Sequence, residues 1–331
     1  MMRIENLSSQ YQTITGPVVT VKDVSFDIKD NEIFGIAGES GCGKSTLLKV
    51  LYDDLTYPLE LKSGKVIFEY SDKDGSRKTL ESGCIHDGWW NEISYIPQAA
   101  MSVLNPVYRI EDQFYELYVR HRKKEKHAIV NKYVADYLSE LDLPADILKS
   151  YPHQLSGGMR QRVVIAMATF LQPSMILADE PTTALDVVVQ KSILMMLMDL
   201  QRKMKNTLVI VTHDMGVHYQ ITNRMAIMYS GSIVELGPTE DIFNDPLHPY
   251  TKMLIGSLPK IGSKEQRVGI TGGPPSFRNP PAGCRFAPRC RFARPECSQS
   301  VPKLTEISPG RFAACSLLNG QGGTGNGDKS S

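Results

Sequence analysis

A chain of 331 residues, 41% hydrophobic and 22% charged, has the composition of a soluble globular protein and is long enough for two domains or one large domain with an appendage. Its formal net charge of +1 lacks the basic excess that binding through nucleic-acid phosphates requires, so no nucleic-acid partner is expected. The stretch from Met1 to Leu7 is too polar for a signal peptide, and the longest apolar run, Val163 to Leu171, is broken by Thr169 and is under half a membrane span. The cytosol is the expected location, where the six cysteines are not expected to form disulfides.

Residues 1–37 read as short strands, Val18–Val21 and Ser25–Ile28, separated by turn residues such as Asp30-Asn31. Tyr11 precedes them, as an adenine-stacking ring if exposed or an ordinary strand tyrosine if half-buried. The apolar run Ile33–Ala37 then leads into Gly38-Glu39-Ser40-Gly41-Cys42-Gly43-Lys44-Ser45-Thr46 and on to Leu47–Leu51, the pattern of strand, glycine loop and helix. Gly38, Gly43, Lys44 and Ser45 fit G-x-x-x-x-G-K-[ST]. In that loop backbone N–H groups wrap phosphate oxygens, the helix aims its positive end at them, the lysine reaches the β/γ-phosphates and the serine holds Mg²⁺. A strand from Gly64 to Tyr70 follows, then a surface hairpin or loop over Asp72–Gly88, with Trp89 and Trp90 packing locally. Ile93–Ile96 is a short strand ending in Pro97-Gln98. Residues 111–149 are helical by period, with Phe114, Leu117, Val130, Val134, Tyr137, Leu138 and Leu141 as the apolar positions. The basic run His121–His127 reads as a solvated helix face or connection.

Leu155-Ser156-Gly157-Gly158 opens a further helix, a second terminus with a hydroxyl, bare N–H groups and the positive dipole end available to an anion. Met175–Asp179 is a buried strand ending in two carboxylates, Asp179 to hold Mg²⁺ and Glu180 to orient a water against the γ-phosphate; if the strand continues, alternation points them to opposite sides. Asp186 is a candidate N-cap of a helix running to about Lys205. The strand Thr207–Thr212 delivers His213, which leaves the same sheet edge as Asp179 and can touch the γ-phosphate. Ala226–Tyr229 and Ile233–Leu236, joined by Ser230-Gly231-Ser232, close a hairpin.

Phosphate loop, Leu-Ser-Gly-Gly, strand-Asp-Glu and strand-Thr-His, in this order from about residue 11 to 240, resemble the nucleotide-binding subunit of ABC transporters. The resemblance implies an α/β fold of the ABC type of P-loop NTPase, with a mixed central sheet, an antiparallel β subdomain and a helical subdomain at about 105–170, all within residues 1–247. It makes Gln98 the glutamine that senses Mg²⁺ and the membrane partner, so that Mg²⁺ is shared by Ser45, Gln98 and Asp179. Tyr11 becomes the adenine platform, and Lys44, Gln98, Glu180 and His213 the catalytic group. Ala184-Leu185-Asp186 corresponds to the loop that meets the second subunit. ATP bound by Gly38, Ser40, Gly41, Cys42, Gly43, Lys44, Ser45 and Thr46 is then capped by Ser156, Gly157 and Gly158 of that subunit, identical or merely homologous. Two transmembrane permease subunits, and indirectly an extracellular substrate-binding protein, complete the expected partners, which places the chain peripherally on the cytoplasmic face of the membrane.

Finer features are similar to the oligopeptide/dipeptide branch, which also holds nickel and some oligosaccharide importers: Ser102-Val103-Leu104-Asn105-Pro106, the run from Gly157 to Val163, Pro181–Val187, and His248-Pro249-Tyr250-Thr251 opening a small irregular C-terminal extension over 248–318. That extension carries Gly272-Gly273-Pro274-Pro275, then Cys284, Cys290, Cys297 and Cys315. No C-x₂-C pair is present, against a zinc ribbon. Four thiolates can hold a [4Fe–4S] cluster, as in similar peptide-importer ATPases, with Arg285, Arg289, Arg291 and Arg294 offsetting its charge; zinc and free thiols are the alternatives. The Gly/Ser-rich tail, 319–331, is expected to be disordered. A soluble ABC ATPase acting on DNA or ribosomes is the rival from another class, disfavoured by the neutral charge and the lack of a long coiled coil. A GTP switch lacks its guanine reader, because Asn131-Lys132-Tyr133-Val134 fails at the last position of Asn-Lys-x-Asp.

Overall fold

Strands buried on both faces and strands buried on one face separate this chain into two sheets. In chain order the elements are β1 (Met2–Tyr11), β2 (Val18–Ile28), β3 (Ile33–Ala37), α1 (Lys44–Leu51), β4 (Leu59–Ser71), β5 (Arg77–Glu81), β6 (Ile93–Ile96), α2 (Ile110–His121), α3 (His127–Glu140), α4 (Gly157–Phe170), β7 (Met175–Asp179), α5 (Val187–Met204), β8 (Thr207–Val211), α6 (Met215–Ile221), β9 (Arg224–Tyr229), β10 (Ser232–Pro238), α7 (Thr239–Asn244), α8 (Pro249–Gly256), β11 (Thr305–Ser308) and β12 (Arg311–Ala313). The computed structural model describes residues 1–72, 74–98, 103–258 and 272–318; Ser102 and the tail expected to be disordered lie outside them.

β3, β7 and β8 are buried at every residue and, apart from Asp179 and Thr207 at strand ends, apolar, as parallel strands covered on both faces must be. They lie in a mixed eight-stranded sheet of order β11-β12-β10-β9-β3-β8-β7-β6, parallel from β9 to β6 and antiparallel from β9 through β10 and β12 to β11. β2 instead buries Val24, Phe26 and Ile28 and exposes the residues between them. That alternation belongs to the four-stranded antiparallel sheet β2-β1-β4-β5. The core between the sheets includes Ile4, Val21, Phe26, Phe34, Ile36, Leu47 and Val66. A second core, with Phe114, Val134, Leu138 and Ile165, holds α2, α3 and α4 against the sheet.

The periodicity over 111–149 resolves into α2, α3 and a short 3-10 turn at Ala145–Lys149, and Lys123–Lys126 of the basic run are exposed between the two helices. The surface hairpin or loop expected over Asp72–Gly88 contains β5, which pairs back onto β4 with Phe68 opposite Leu80, and a 3-10 turn at Ile85–Gly88. β1 carries no clear sequence signal, because three register shifts against β2 and the polar Glu5, Asn6, Ser8 and Ser9 blur the period of two. The extension expected to be irregular contributes β11 and β12, and β12 pairs with β10 through Glu235↔Ala313 and Leu236↔Phe312. Two short strands gain from covering the open edge of a sheet already built. His248 starts α8 by accepting the Tyr250 amide at 3.0 Å on its Nδ1, and burial pushes its pKa down to about 3, so the ring is neutral.

Candidate active site

β3, β8, β7 and β6 are parallel neighbours. They present their carboxyl ends along one edge, where open α/β sheets bind ligands. β3 runs into Gly38, β8 into Thr212-His213, β7 into Asp179-Glu180 and β6 into Pro97-Gln98. The residues singled out in the sequence are far apart in the chain, and sheet order alone makes them adjacent.

The phosphate loop turns through Gly38, Gly41 and Gly43, at φ of 152°, 76° and 106°, values that L side chains resist. Lys44, 5% exposed, curls over the loop and donates to the carbonyls of Gly38 at 2.9 Å and Glu39 at 3.0 Å. Cys42 is buried, and burial pushes its thiol up, which suits a small loop residue rather than a reactive one. Ser40 and Gly41 line a cavity with Val18, Ser230 and the stretch from Pro274 to Arg278. Tyr11 is half-buried, and its hydroxyl lies 3.4 Å from Thr46 Oγ1 at the mouth of the loop.

Ser45 Oγ donates to Asp179 Oδ1 at 2.9 Å, and the Tyr95 hydroxyl donates to Oδ2 at 3.0 Å. Burial pushes the Asp179 carboxyl up, more than these two hydrogen bonds bring it down. A carboxylate whose charge is penalised by burial, paired with a serine hydroxyl, is a fitting oxygen donor set for Mg²⁺, which combines one or two protein oxygens with those of a substrate phosphate.

Glu180 faces elsewhere. Its φ of 44° ends β7, and its amide donates to the Val211 carbonyl at 2.8 Å. The strand on which alternation was conditional stops at Asp179, and the separation of the two carboxylates comes from a left-handed turn. Gln98 Nε2 at 3.2 Å and Thr183 Oγ1 at 2.6 Å donate to Glu180 Oε2, and His213 Nδ1 lies 3.1 Å from Oε1. Burial alone would raise this carboxyl, but the Thr183 and His213 hydrogen bonds, with the electrostatic pull of His213 and Lys44, outweigh it and hold the group below the usual glutamate range.

Ser156 caps α4 by accepting the Met159 amide at 3.3 Å. A Cβ on Gly158 would come within 2.7 Å of Val189 Cγ1, so the glycine lets α4 close on the start of α5. Ser156 is exposed, and no hydrogen bond among the described residues joins Ser156–Gly158 to the phosphate loop of the same chain. Asp186 caps α5 by accepting the amides of Val188 and Val189 at 3.1 and 3.0 Å.

A family profile described as ABC transporter matches residues 21–183, and one described as oligopeptide/dipeptide transporter, C-terminal region, matches residues 234–297. The dipeptide transport ATP-binding protein DppD of Bacillus subtilis is 39% identical over 96% of this chain and 94% of its own. This chain belongs to the ABC transporter family, in its oligopeptide/dipeptide branch. The oligopeptide transport ATP-binding protein AppD of Bacillus subtilis is 37% identical, covering 97% of this chain and 98% of its own, and DppD of Escherichia coli 34%, covering 95% and 96%. Among solved structures, a dimeric post-hydrolysis state of the ATP-binding cassette MJ0796 bound to ADP and Pi superposes with a TM-score of 0.61 at 26% identity, over 72% of this chain and 99% of that one. The fold is thus the ABC-type P-loop NTPase expected from the motifs.

Cys284, Cys290, Cys297 and Cys315 line one small cavity of this ABC ATPase with His248 and Phe286. Among the described residues no group of three or more His, Cys, Asp or Glu side chains stands in metal-binding arrangement. Burial pushes the thiols of Cys284, Cys290 and Cys315 up. The arginines expected to offset a cluster charge are partly committed elsewhere: Arg289 pairs with Glu39 and Arg285 donates to the Ser230 carbonyl. Tyr95 and Thr183 were not singled out in the sequence, though they hold the two carboxylates. Their positions, on the strand before Gln98 and in the turn after Glu180, were the only available signal.

Proposed function

We propose that this chain is the ATP-hydrolysing subunit of a peptide importer, working as a dimer with a second ATPase subunit on the cytoplasmic face of the membrane, beneath two permease subunits fed by an extracellular binding protein. Its identity with dipeptide and oligopeptide transport ATP-binding proteins over nearly the whole chain favours peptide over nickel or oligosaccharide as cargo. No helix among the described residues is long and apolar enough to cross a membrane, so passage of the cargo belongs to other subunits. The single observation that carries the reading is the convergence of Gln98, Thr183 and His213 on Glu180, beside the Ser45–Asp179 pair and the phosphate loop. In this reading Gly38–Thr46 cradle the triphosphate, with Lys44 on the β/γ-phosphates. Ser45, Asp179 and Gln98 hold Mg²⁺, which neutralises phosphate charge when bound. Glu180 accepts the proton of the attacking water, and His213 holds Glu180 in place. Tyr11 stacks on adenine, and Ser156, Gly157 and Gly158 close the site from the other subunit.

Complementation tests the shared site. Ser156→Arg and Lys44→Ala are each expected to be inactive. Mixed, they form dimers in which an intact phosphate loop meets an intact Ser-Gly-Gly cap, and ATPase activity returns to roughly a quarter of wild type, on the simple count of one good site in half of the dimers. Full activity of Ser156→Arg in a strictly monomeric preparation overturns the shared site.

We also propose that Cys284, Cys290, Cys297 and Cys315 hold a [4Fe–4S] cluster. Their common cavity supports it, and the group would tie together a segment that otherwise rests on short strands and turns. Because burial pushes the thiols of Cys284, Cys290 and Cys315 up, binding must release protons and weaken as pH falls. Anaerobically purified protein should absorb near ~400 nm, and stoichiometric zinc without that band would overturn the cluster.

A further inference from the structure

Glu39, the first variable residue of the phosphate loop, is gripped from the C-terminal segment. Arg289 Nη1 and Nη2 donate to its Oε2 and Oε1 at 2.8 and 2.9 Å, a fork-on-fork pair in which the arginine side chain is 7% and the glutamate 23% exposed. Arg289 Nη1 also donates to the Tyr229 hydroxyl at 3.1 Å. The Glu39 amide donates to the Tyr250 hydroxyl at 2.9 Å, and its carbonyl accepts from Lys44. Glu39 is therefore held at its carboxylate, its amide and its carbonyl, the first two by residues beyond the sheet and the third by the loop lysine itself. The gripping side chains are stiff: Tyr229, Tyr250 and Phe286 pack with ring centroids 4.6, 5.3 and 5.4 Å apart, and Arg289 sits in the 3-10 turn Ala287–Arg289 that follows Phe286. Bidentate arginine–carboxylate pairs shielded from water are the charge pairs with the greatest geometric specificity. This one fixes the residue next to Gly38, where the loop departs from β3.

We propose that Arg289 is a positioning residue for ATP binding: through Glu39 it holds the phosphate loop in the shape that receives the triphosphate, which makes the C-terminal segment a working part of the nucleotide site. The inference rests on the ATPase reading above, and the two fail differently. A wild-type protein that neither binds nor hydrolyses ATP defeats that reading. A wild-type protein that does both, with variants that bind and hydrolyse ATP as well as the wild type does, defeats this one.

The test measures Kd for Mg·ATP by calorimetry and kcat and KM by phosphate release, on the full chain. Arg289→Ala and Glu39→Gln are each expected to raise Kd and KM roughly tenfold, with kcat at saturating ATP changed less than threefold, and Arg289→Lys to recover only part of the affinity because it loses the fork. The double variant should be no weaker than the worse single one, since both remove the same contact. Glu39→Gln keeps size and shape at a part-exposed position, so it answers the question even if Arg289→Ala folds poorly. Additive effects, or a lower melting temperature with Kd unchanged within twofold, would show a merely structural clasp and overturn the proposal.

Discussion

Replacing Glu180 by glutamine is expected to lower ATP turnover by about 10²–10⁴-fold, the usual contribution of a positioned general base, while Mg·ATP affinity stays within a few-fold of wild type. The substitution removes the group that takes the proton but keeps its size, and Thr183 and Gln98 retain an oxygen to donate to. Asp179, Ser45 and the phosphate loop lie on the other side of the left-handed turn and are untouched. Binding without cleavage should therefore accumulate an ATP-closed dimer, visible by gel filtration with ATP and absent with ADP. Acidity adds a second check. A base works as its carboxylate, and the hydrogen bonds from Thr183 and His213 hold Glu180 below the ordinary glutamate value of 4.5. The acid limb of kcat/KM attributable to this residue thus lies below that pH. Thr183→Val, which removes one of those hydrogen bonds, should move the limb upward. Retention by Glu180→Gln of a tenth or more of wild-type turnover would place the base elsewhere.

What was legible in the sequence were residues whose chemistry and local context coincide. Gly38, Asp179, Glu180 and His213 stand at the ends of short apolar strands and Lys44 closes a glycine loop, and a strand that ends in a reactive group states both its structure and its edge of the sheet. What was illegible depends on contacts with no local signature. The Glu39–Arg289 pair spans the chain from the phosphate loop to the segment between Cys284 and Cys290, and the sequence singles out only one of the two, Arg289, as a counter-charge for thiolates. Tyr95 shares its strand with Ile93 and Ile96, and its hydroxyl acquires meaning only because β6 lies beside β7. The turn at Glu180 has no local signature either. Alternation predicts where a side chain points only while the strand continues, and a backbone φ of 44° halts it at Asp179. β11 and β12 are too short to show a period, and the β10 edge that they cover supplies the stability their own sequences lack.

Gly38→Ala is expected to raise Kd for Mg·ATP at least ~100-fold and to weaken folding by several kcal/mol, from a collision and not from backbone strain alone. Gly38 leaves β3 at a φ of 152°, and a Cβ there would lie 2.1 Å from the Met228 carbonyl oxygen and 2.9 Å from Cys42 Sγ. The carbonyl belongs to β9, hydrogen-bonded between β3 and β10, so it has no room to retreat without parting the sheet. The loop must move instead, and Lys44 loses the Gly38 carbonyl that now orients its ammonium group. Gly41→Ala separates the two causes. Gly41 also has a positive φ, 76°, but nothing lies within 4 Å of its added Cβ, so it bears only the cost of a left-handed alanine, about 1–2 kcal/mol. Chemical denaturation of both variants decides the matter: Gly38→Ala should unfold at clearly lower denaturant than Gly41→Ala, and equal midpoints would mean that the loop, not β9, gives way at no cost.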